Sequence, residues 1–130
     1  MKTLIEIIKD EQGACFNRHG AFCAFSKAQF DEAKDPALEL TDYVSIGAGL
    51  IAPKSNAAQL VNDLDNIASK GRDIDIELHG TDAIILRELN NHECFYMYDI
   101  TDCVNALSEY SAITETMIRA VFEQERHNHD

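Results

Sequence analysis

The feature that most constrains this chain is a change of hydrophobic period at Pro53. Upstream, Tyr43-Val-Ser-Ile-Gly-Ala-Gly-Leu-Ile-Ala52 opens aromatic and β-branched, the composition of a strand. Downstream, Leu60, Val61, Leu64, Ile67 and Ala68 recur at helical spacing and leave Asn62, Asp63 and Asp65 to solvent. Pro53 stops the strand because it has no N–H for a ladder, and Lys54-Ser55-Asn56 supplies the N-cap of the helix. Gly47 and Gly49 mark a bulge or a close backbone approach within the strand.

The other elements follow from period and punctuation. Leu4, Ile7 and Ile8, then Lys9-Asp10-Glu11-Gln12 before Gly13, predict a short amphipathic helix closed by glycine. Ala14 to Phe25, with aromatic residues flanking Asn17 to Gly20, predicts two short strands in a hairpin. Ser26 and Gln29 have capping-box spacing for a helix from Lys27 to Lys34, ended by Pro36. Asp73-Ile-Asp-Ile-Glu-Leu78 alternates like a strand, yet Ile67, Ile74 and Leu78 keep a helical register, and it is taken as helix ending at His79-Gly80. Thr81 caps a helix through Ile84, Ile85 and Leu89, and Phe95 to Tyr98 is a short strand or a packed loop. Asp99 or Thr101 starts a helix through Val104, Leu107 and Tyr110, and Thr114 starts the last one, through Ile118, Val121 and Phe122. No linker or repeat interrupts the chain, so residues 1–130 are expected to form a single domain. Its expected class is α+β: a small antiparallel sheet from residues 14–25 and 43–52, with the helices from Asn56 onward packed mainly on one face.

Charge bears on partners. The 130 residues carry 23 Asp and Glu against 11 Lys and Arg, a formal net charge of −12, in a composition that is 45% hydrophobic. That is too apolar for a disordered acidic tail, so the charge belongs to a folded surface. Residues 66–130 hold 13 of the acids and 5 of the bases, which concentrates the charge in the C-terminal half. Such a surface repels nucleic acid and anionic membrane and complements basic grooves on other proteins. The opening Met-Lys-Thr-Leu-Ile-Glu-Ile-Ile is broken by Glu6 and by Lys9-Asp10-Glu11, so neither signal peptide nor membrane span is expected and a cytoplasmic location follows.

Cys15, Cys23, Cys94 and Cys103 lack C-x-x-C spacing and are expected to be reduced, small core residues. A hairpin turning on Arg18-His19 would also place Cys15 and Cys23 on opposite faces. Cys15 with His19, and Cys94 with His92, pair thiol and imidazole, but a nucleophilic thiol also needs a lowered pKa and an orienting third group, neither of which the sequence shows, so a buried Cys beside a turn His is expected. Glu88 and His92 stand four apart, the spacing that projects two metal ligands or an acid/base pair from one helical face, with Glu93 adjacent. A third ligand is missing locally, to be supplied by His79 or Asp99 through folding, and a simple ion pair gives the same spacing. Gly47-Ala-Gly49 lacks the rest of a phosphate loop, Asp63-x-Asp65 fails the calcium-loop pattern, and His127-Asn-His129-Asp reads as a polar tail. No metal or cofactor is therefore implied.

Three strings carry a resemblance: Gly20-Ala-Phe-Cys-Ala-Phe-Ser-Lys-Ala-Gln-Phe-Asp-Glu32, Tyr43 to Pro53, and Arg87-Glu-Leu-Asn-Asn-His-Glu-Cys-Phe-Tyr96 followed by Asp99-Ile and Asp102. Over about residues 13–120 the chain resembles a family of small, acidic, single-domain phage and prophage proteins classed as a domain of unknown function. The resemblance implies a mobile-element setting, and position 94 as a small apolar site rather than an essential thiol.

Together these features point to an acidic inhibitor of bacterial defence, of the anti-CRISPR or anti-restriction kind, that mimics nucleic acid. It would occlude the basic surface of a host nucleic-acid-binding protein or complex without itself binding nucleic acid or membrane. The candidate contact acids are Asp63, Asp65, Asp73 and Asp75, with Glu77 and Asp82 nearby, and Asp99, Asp102 and Glu109, with Glu115 in the same region. Phe95, Tyr96 and Tyr98 are the candidate aromatic anchors. Two other classes stand beside this one: a small enzyme or ligand-binding module using Glu88, His92 and Glu93, and a self-associating accessory protein, such as a homodimer, without catalysis.

Overall fold

The computed structural model describes residues 1–128; His129 and Asp130, half of the expected polar tail, lie outside the described residues. The class is α+β, with seven α-helices and a three-stranded antiparallel sheet among those residues. Two compact units are present, one formed by Leu4–Gly71 and the other by the chain from Arg72 onward with Met1–Thr3.

The first unit contains α1 (Leu4–His19), β1 (Phe22–Cys23), α2 (Lys27–Ala33), β2 (Tyr43–Gly47), β3 (Leu50–Pro53) and residues 54–71 of α3 (Lys54–His79). The strand order is β1-β3-β2, with Phe22 opposite Ile51 and Tyr43 opposite Pro53. The segment expected as one strand over residues 43–52 is a β2–β3 hairpin that turns at Ala48-Gly49. Its bulge falls between Ser45 and Gly47, and the Phe25 ring occupies the space a Gly49 side chain would need.

Residues 14–19 are helical, not the first strand of a hairpin, and only Phe22–Cys23 of the expected segment 14–25 is strand. The apolar period decides this: Ile8 and Cys15, seven residues apart, are both buried when α1 continues through Gly13. Termination comes at Gly20, whose φ of 67° is the left-handed geometry of a Schellman motif. There Ala21 N–H donates to Phe16 O at 2.8 Å and Gly20 N–H to Asn17 O at 3.3 Å. Asn56 is not the cap of α3, which already starts at Lys54; its Nδ2 donates to His19 O at 3.0 Å and so caps α1 instead. Ile8, Cys15, Ala21, Ala52, Leu60 and Ile67 form the core of this unit. Phe22, Phe30 and Tyr43 pack edge-on or tilted in a second cluster.

The second unit contains residues 72–79 of α3, then α4 (Thr81–Asn91), α5 (Cys94–Met97), α6 (Thr101–Ala106) and α7 (Glu115–Glu125). Helical register wins over alternation at residues 73–78, and α3 runs 26 residues without a break. Phe95 to Tyr98 is neither strand nor loop: α5 is one helical turn between Glu93 and Tyr98, both left-handed with φ of 54° and 53°. That turn buries Cys94 and Phe95, and Phe95 stacks on Phe122 at 5.3 Å. α6 stops at Ala106, and Leu107 and Tyr110 are buried from the hydrogen-bonded turns that follow. Thr114 caps α7 by accepting from Met117 N–H at 3.2 Å. Among the described residues, no helix is long and apolar enough to cross a membrane.

Candidate functional site

The carboxylates singled out from the sequence divide into surface groups and groups consumed internally. Asp65 and Asp73 are exposed on α3. Asp75 is not a surface acid: it has 0% exposure, because helical register carries it onto the buried stripe of α3. Arg87 grips it with both ends of its guanidinium, Nη1 donating to Oδ1 at 3.1 Å and Nη2 to Oδ2 at 2.9 Å, while Tyr110 Oη donates to Oδ2 at 2.6 Å. His79 Nε2 lies 3.9 Å from Oδ1. Burial pushes the Asp75 pKa up, but the Arg87 and Tyr110 hydrogen bonds and the Arg87 charge outweigh it, and the carboxyl is held below its ordinary range. Burial and then the hydrogen bond to Asp75 push the Tyr110 phenol up to about 12. Sequence reasoning missed Arg87 and Tyr110 as partners; the available signal was that Leu60, Ile67, Gly71 and Asp75 continue one helical stripe.

Asp63 is also occupied. Its Oδ2 lies 2.7 Å from His19 Nε2 and accepts from Arg18 Nη2 at 3.4 Å, while Oδ1 accepts from Gln59 Nε2 at 2.8 Å. The His19 and Gln59 hydrogen bonds, chiefly, lower its pKa. Donor atoms of Cys15, His19 and Asp63 all lie within 4.8 Å of one another. The third group absent beside Cys15 and His19 in sequence is thus supplied by α3, 44 residues from His19.

Glu88 and His92 meet as an ion pair, Nε2 to Oε2 at 3.4 Å, and Arg87 Nε donates to the other Glu88 oxygen at 3.1 Å. Glu93 is exposed at the left-handed end of α4, and among the described residues no third His, Cys, Asp or Glu completes a metal-ligand group with them. Asp99, Asp102 and Glu109 are exposed, but Asp99 also caps the approach to α6, its Oδ1 accepting from Thr101 N–H at 2.9 Å and from the Thr101 hydroxyl at 2.6 Å. Those two bonds lower the Asp99 pKa. Of the aromatic candidates, Phe95 is buried in the core rather than presented. Tyr96 is 84% exposed and Tyr98 58% exposed, with Met97 exposed between them and the Tyr98 ring edge-on to Phe122. Tyr98, Asp99, Thr101, Asn105 and Glu115 line one surface cleft with Arg119, which pairs with Glu115 at 3.1 Å.

The four thiols are free; Cys15, Cys94 and Cys103 are buried as expected, whereas Cys23 is exposed. Burial raises the pKa of Cys15 and Cys94 and pushes Cys103 up to about 12, so the three are protonated at neutral pH. Among curated proteins and among solved structures, nothing matches the chain. A family model does match, over residues 4–128, and the chain therefore belongs to a family of unknown function, DUF7659.

Proposed function

We propose that this protein is a stoichiometric inhibitor, encoded by a phage or prophage, that blocks a host defence system of the anti-CRISPR or anti-restriction kind by occluding a basic nucleic-acid-binding surface. The observation that carries the reading is a composite surface in the second unit: exposed Tyr96, Met97 and Tyr98 continue in sequence into exposed Asp99 and Asp102, with Glu115 on the same cleft as Tyr98. An aromatic anchor beside carboxylates suits a partner that presents Arg and Lys around an apolar pocket. The chain's net charge of −12 adds long-range attraction to such a partner.

The test is a titration of purified protein against the CRISPR effector or restriction nuclease of the host strain. Inhibition that completes at one-to-one and is competed by the nuclease's own nucleic acid is the expected result. Inhibition at far lower ratios indicates turnover and overturns the proposal in favour of an enzyme. A protein that elutes as a dimer and leaves nuclease activity untouched overturns it in favour of self-association.

A further inference from the structure

We propose that Cys15, His19 and Asp63 form a binding site for one divalent metal ion of the zinc type. Cys15 and His19 stand four apart on α1, so both side chains project from one face, and Asp63 faces them from α3. A tetrahedral zinc ion with bonds of about 2.0–2.3 Å holds its donors roughly 3.3–3.6 Å apart. The present donors lie mutually within 4.8 Å, with His19 Nε2 and Asp63 Oδ2 2.7 Å apart, so separations at that limit would close by about 1.2–1.5 Å, shared between two side chains, and the His19–Asp63 contact would open by under about 1 Å.

The donor chemistry selects the ion. One thiolate, one imidazole and one carboxylate suit zinc or cobalt, whereas magnesium and calcium want oxygen donors alone. With the thiol deprotonated, the three donors carry two negative charges, which a divalent cation neutralises. The Cys15 proton leaves to solvent as the S–metal bond forms.

The surroundings are organised as support for such a site. Gln59 holds Oδ1 of Asp63, which leaves Oδ2 turned toward His19. Asn56 fixes the His19 carbonyl and with it the last turn of α1. Arg18 now stands against Oδ2 as a partial substitute for the cation; its side chain is 58% exposed and free to swing into solvent when the ion enters. The entry side is the cleft lined by Glu11, Ala14, Arg18, Asp63, Asn66 and Lys70.

Cobalt titration of the untagged 130-residue chain tests the proposal. One equivalent is expected to bind with a near-ultraviolet thiolate-to-cobalt band and the intense visible bands of a tetrahedral centre, and zinc should displace it. Cys15→Ser should abolish the thiolate band, Cys23→Ser should leave it, and Asp63→Asn and His19→Gln should each weaken binding at least tenfold. Arg18→Ala should tighten it. Calorimetry in two buffers of different ionisation heat should show release of about one proton in the parent chain. Should Cys15→Ser fail to fold, the Asp63 and His19 variants, which keep the thiol, still decide. Cobalt bound without the thiolate band, a band that survives Cys15→Ser in a folded protein, or affinity indifferent to both Asp63→Asn and His19→Gln overturns the site.

Discussion

Asp75 is an anion without solvent, and its neighbours must replace what water would have supplied. Arg87 and Tyr110 do so with three hydrogen bonds, two of them from one guanidinium fork. Removing one member leaves a buried charge exposed to its own desolvation. Tyr110→Phe deletes a hydrogen bond to a charged group and should cost about 1.5–3 kcal/mol, and Asp75→Asn, which removes the buried anion and leaves Arg87 only its Glu88 partner, about 3–5 kcal/mol, both read as urea midpoints at pH 7. Acid should show the same coupling. Because the folded pKa of Asp75 is lowered, its contribution is present above the ordinary carboxylate pKa of about 3.9 and is lost as pH falls through the lowered value. Stability plotted against pH should therefore fall more steeply below about pH 4 in the parent than in Asp75→Asn; parallel curves would refute the coupling. Tyr110 works in the other direction: with its pKa raised to about 12, its contribution is present below the ordinary phenol value of about 10 and is lost as pH climbs toward 12. None of this was legible from Asp75 as one of four nearby acids. What misled was local composition; what would have corrected it was following the Leu60, Ile67, Gly71 stripe one helical step further.

At the scale of elements, two helix-interior glycines make opposite predictions. A Cβ at Gly13 of α1 would meet nothing within 4 Å, whereas one at Gly71 of α3 would collide with the Ile8 side chain and press on Leu4. Gly13→Ala should therefore stabilise by about 0.5–1 kcal/mol through helix propensity alone. Gly71→Ala gains the same propensity but overpacks the α1–α3 contact, and should be a net loss of about 1 kcal/mol or more. Urea midpoints that shift in the same direction for both would sink the packing argument. The pair also explains which elements were readable. α2 and α7 carry their own boundaries in Ser26 and Thr114, which cap them as local signals predict. α4 is not capped by Thr81: Thr81 is already helical and Gly80, which has no side chain to offer, stands at the N-cap. α1 does not carry its own end: Gly13 reads as a stop when only its neighbours are considered, and the reason to continue, burial of Cys15 beside Leu60 and Ala52 in one core, is tertiary. The same holds for α5, whose single turn exists because Phe95 stacks on Phe122, 27 residues away in sequence. The β2–β3 hairpin lies between these cases, since Gly47 and Gly49 announced an irregularity without saying that the chain reverses there.

For the whole molecule the argument is electrostatic, and the fold alters how it must be tested. Net charge of −12 is a property of the sequence, but only the acids left free by internal structure can meet a partner. Asp75 is spent on Arg87 and Tyr110, and Asp63 on His19, Arg18 and Gln59, so reversing either would confound binding with unfolding or local rearrangement. Asp73, Asp102 and Glu109 are exposed and make the cleaner set. Each alone should change affinity little, since an exposed ion pair is worth about 0–1 kcal/mol. Changing all three to Lys should abolish inhibition while circular dichroism and urea midpoint stay those of the parent. Raising the salt should weaken the parent complex in parallel, because its attraction acts between exposed charges that counter-ions screen over about 8–10 Å at physiological strength. Tyr96→Ala separates the two halves of the proposed surface: an aromatic anchor predicts faster dissociation with the salt dependence unchanged. A triple variant that still inhibits, together with a complex indifferent to salt, would remove nucleic-acid mimicry and leave an apolar contact through Tyr96, Met97 and Tyr98 as the mode of binding.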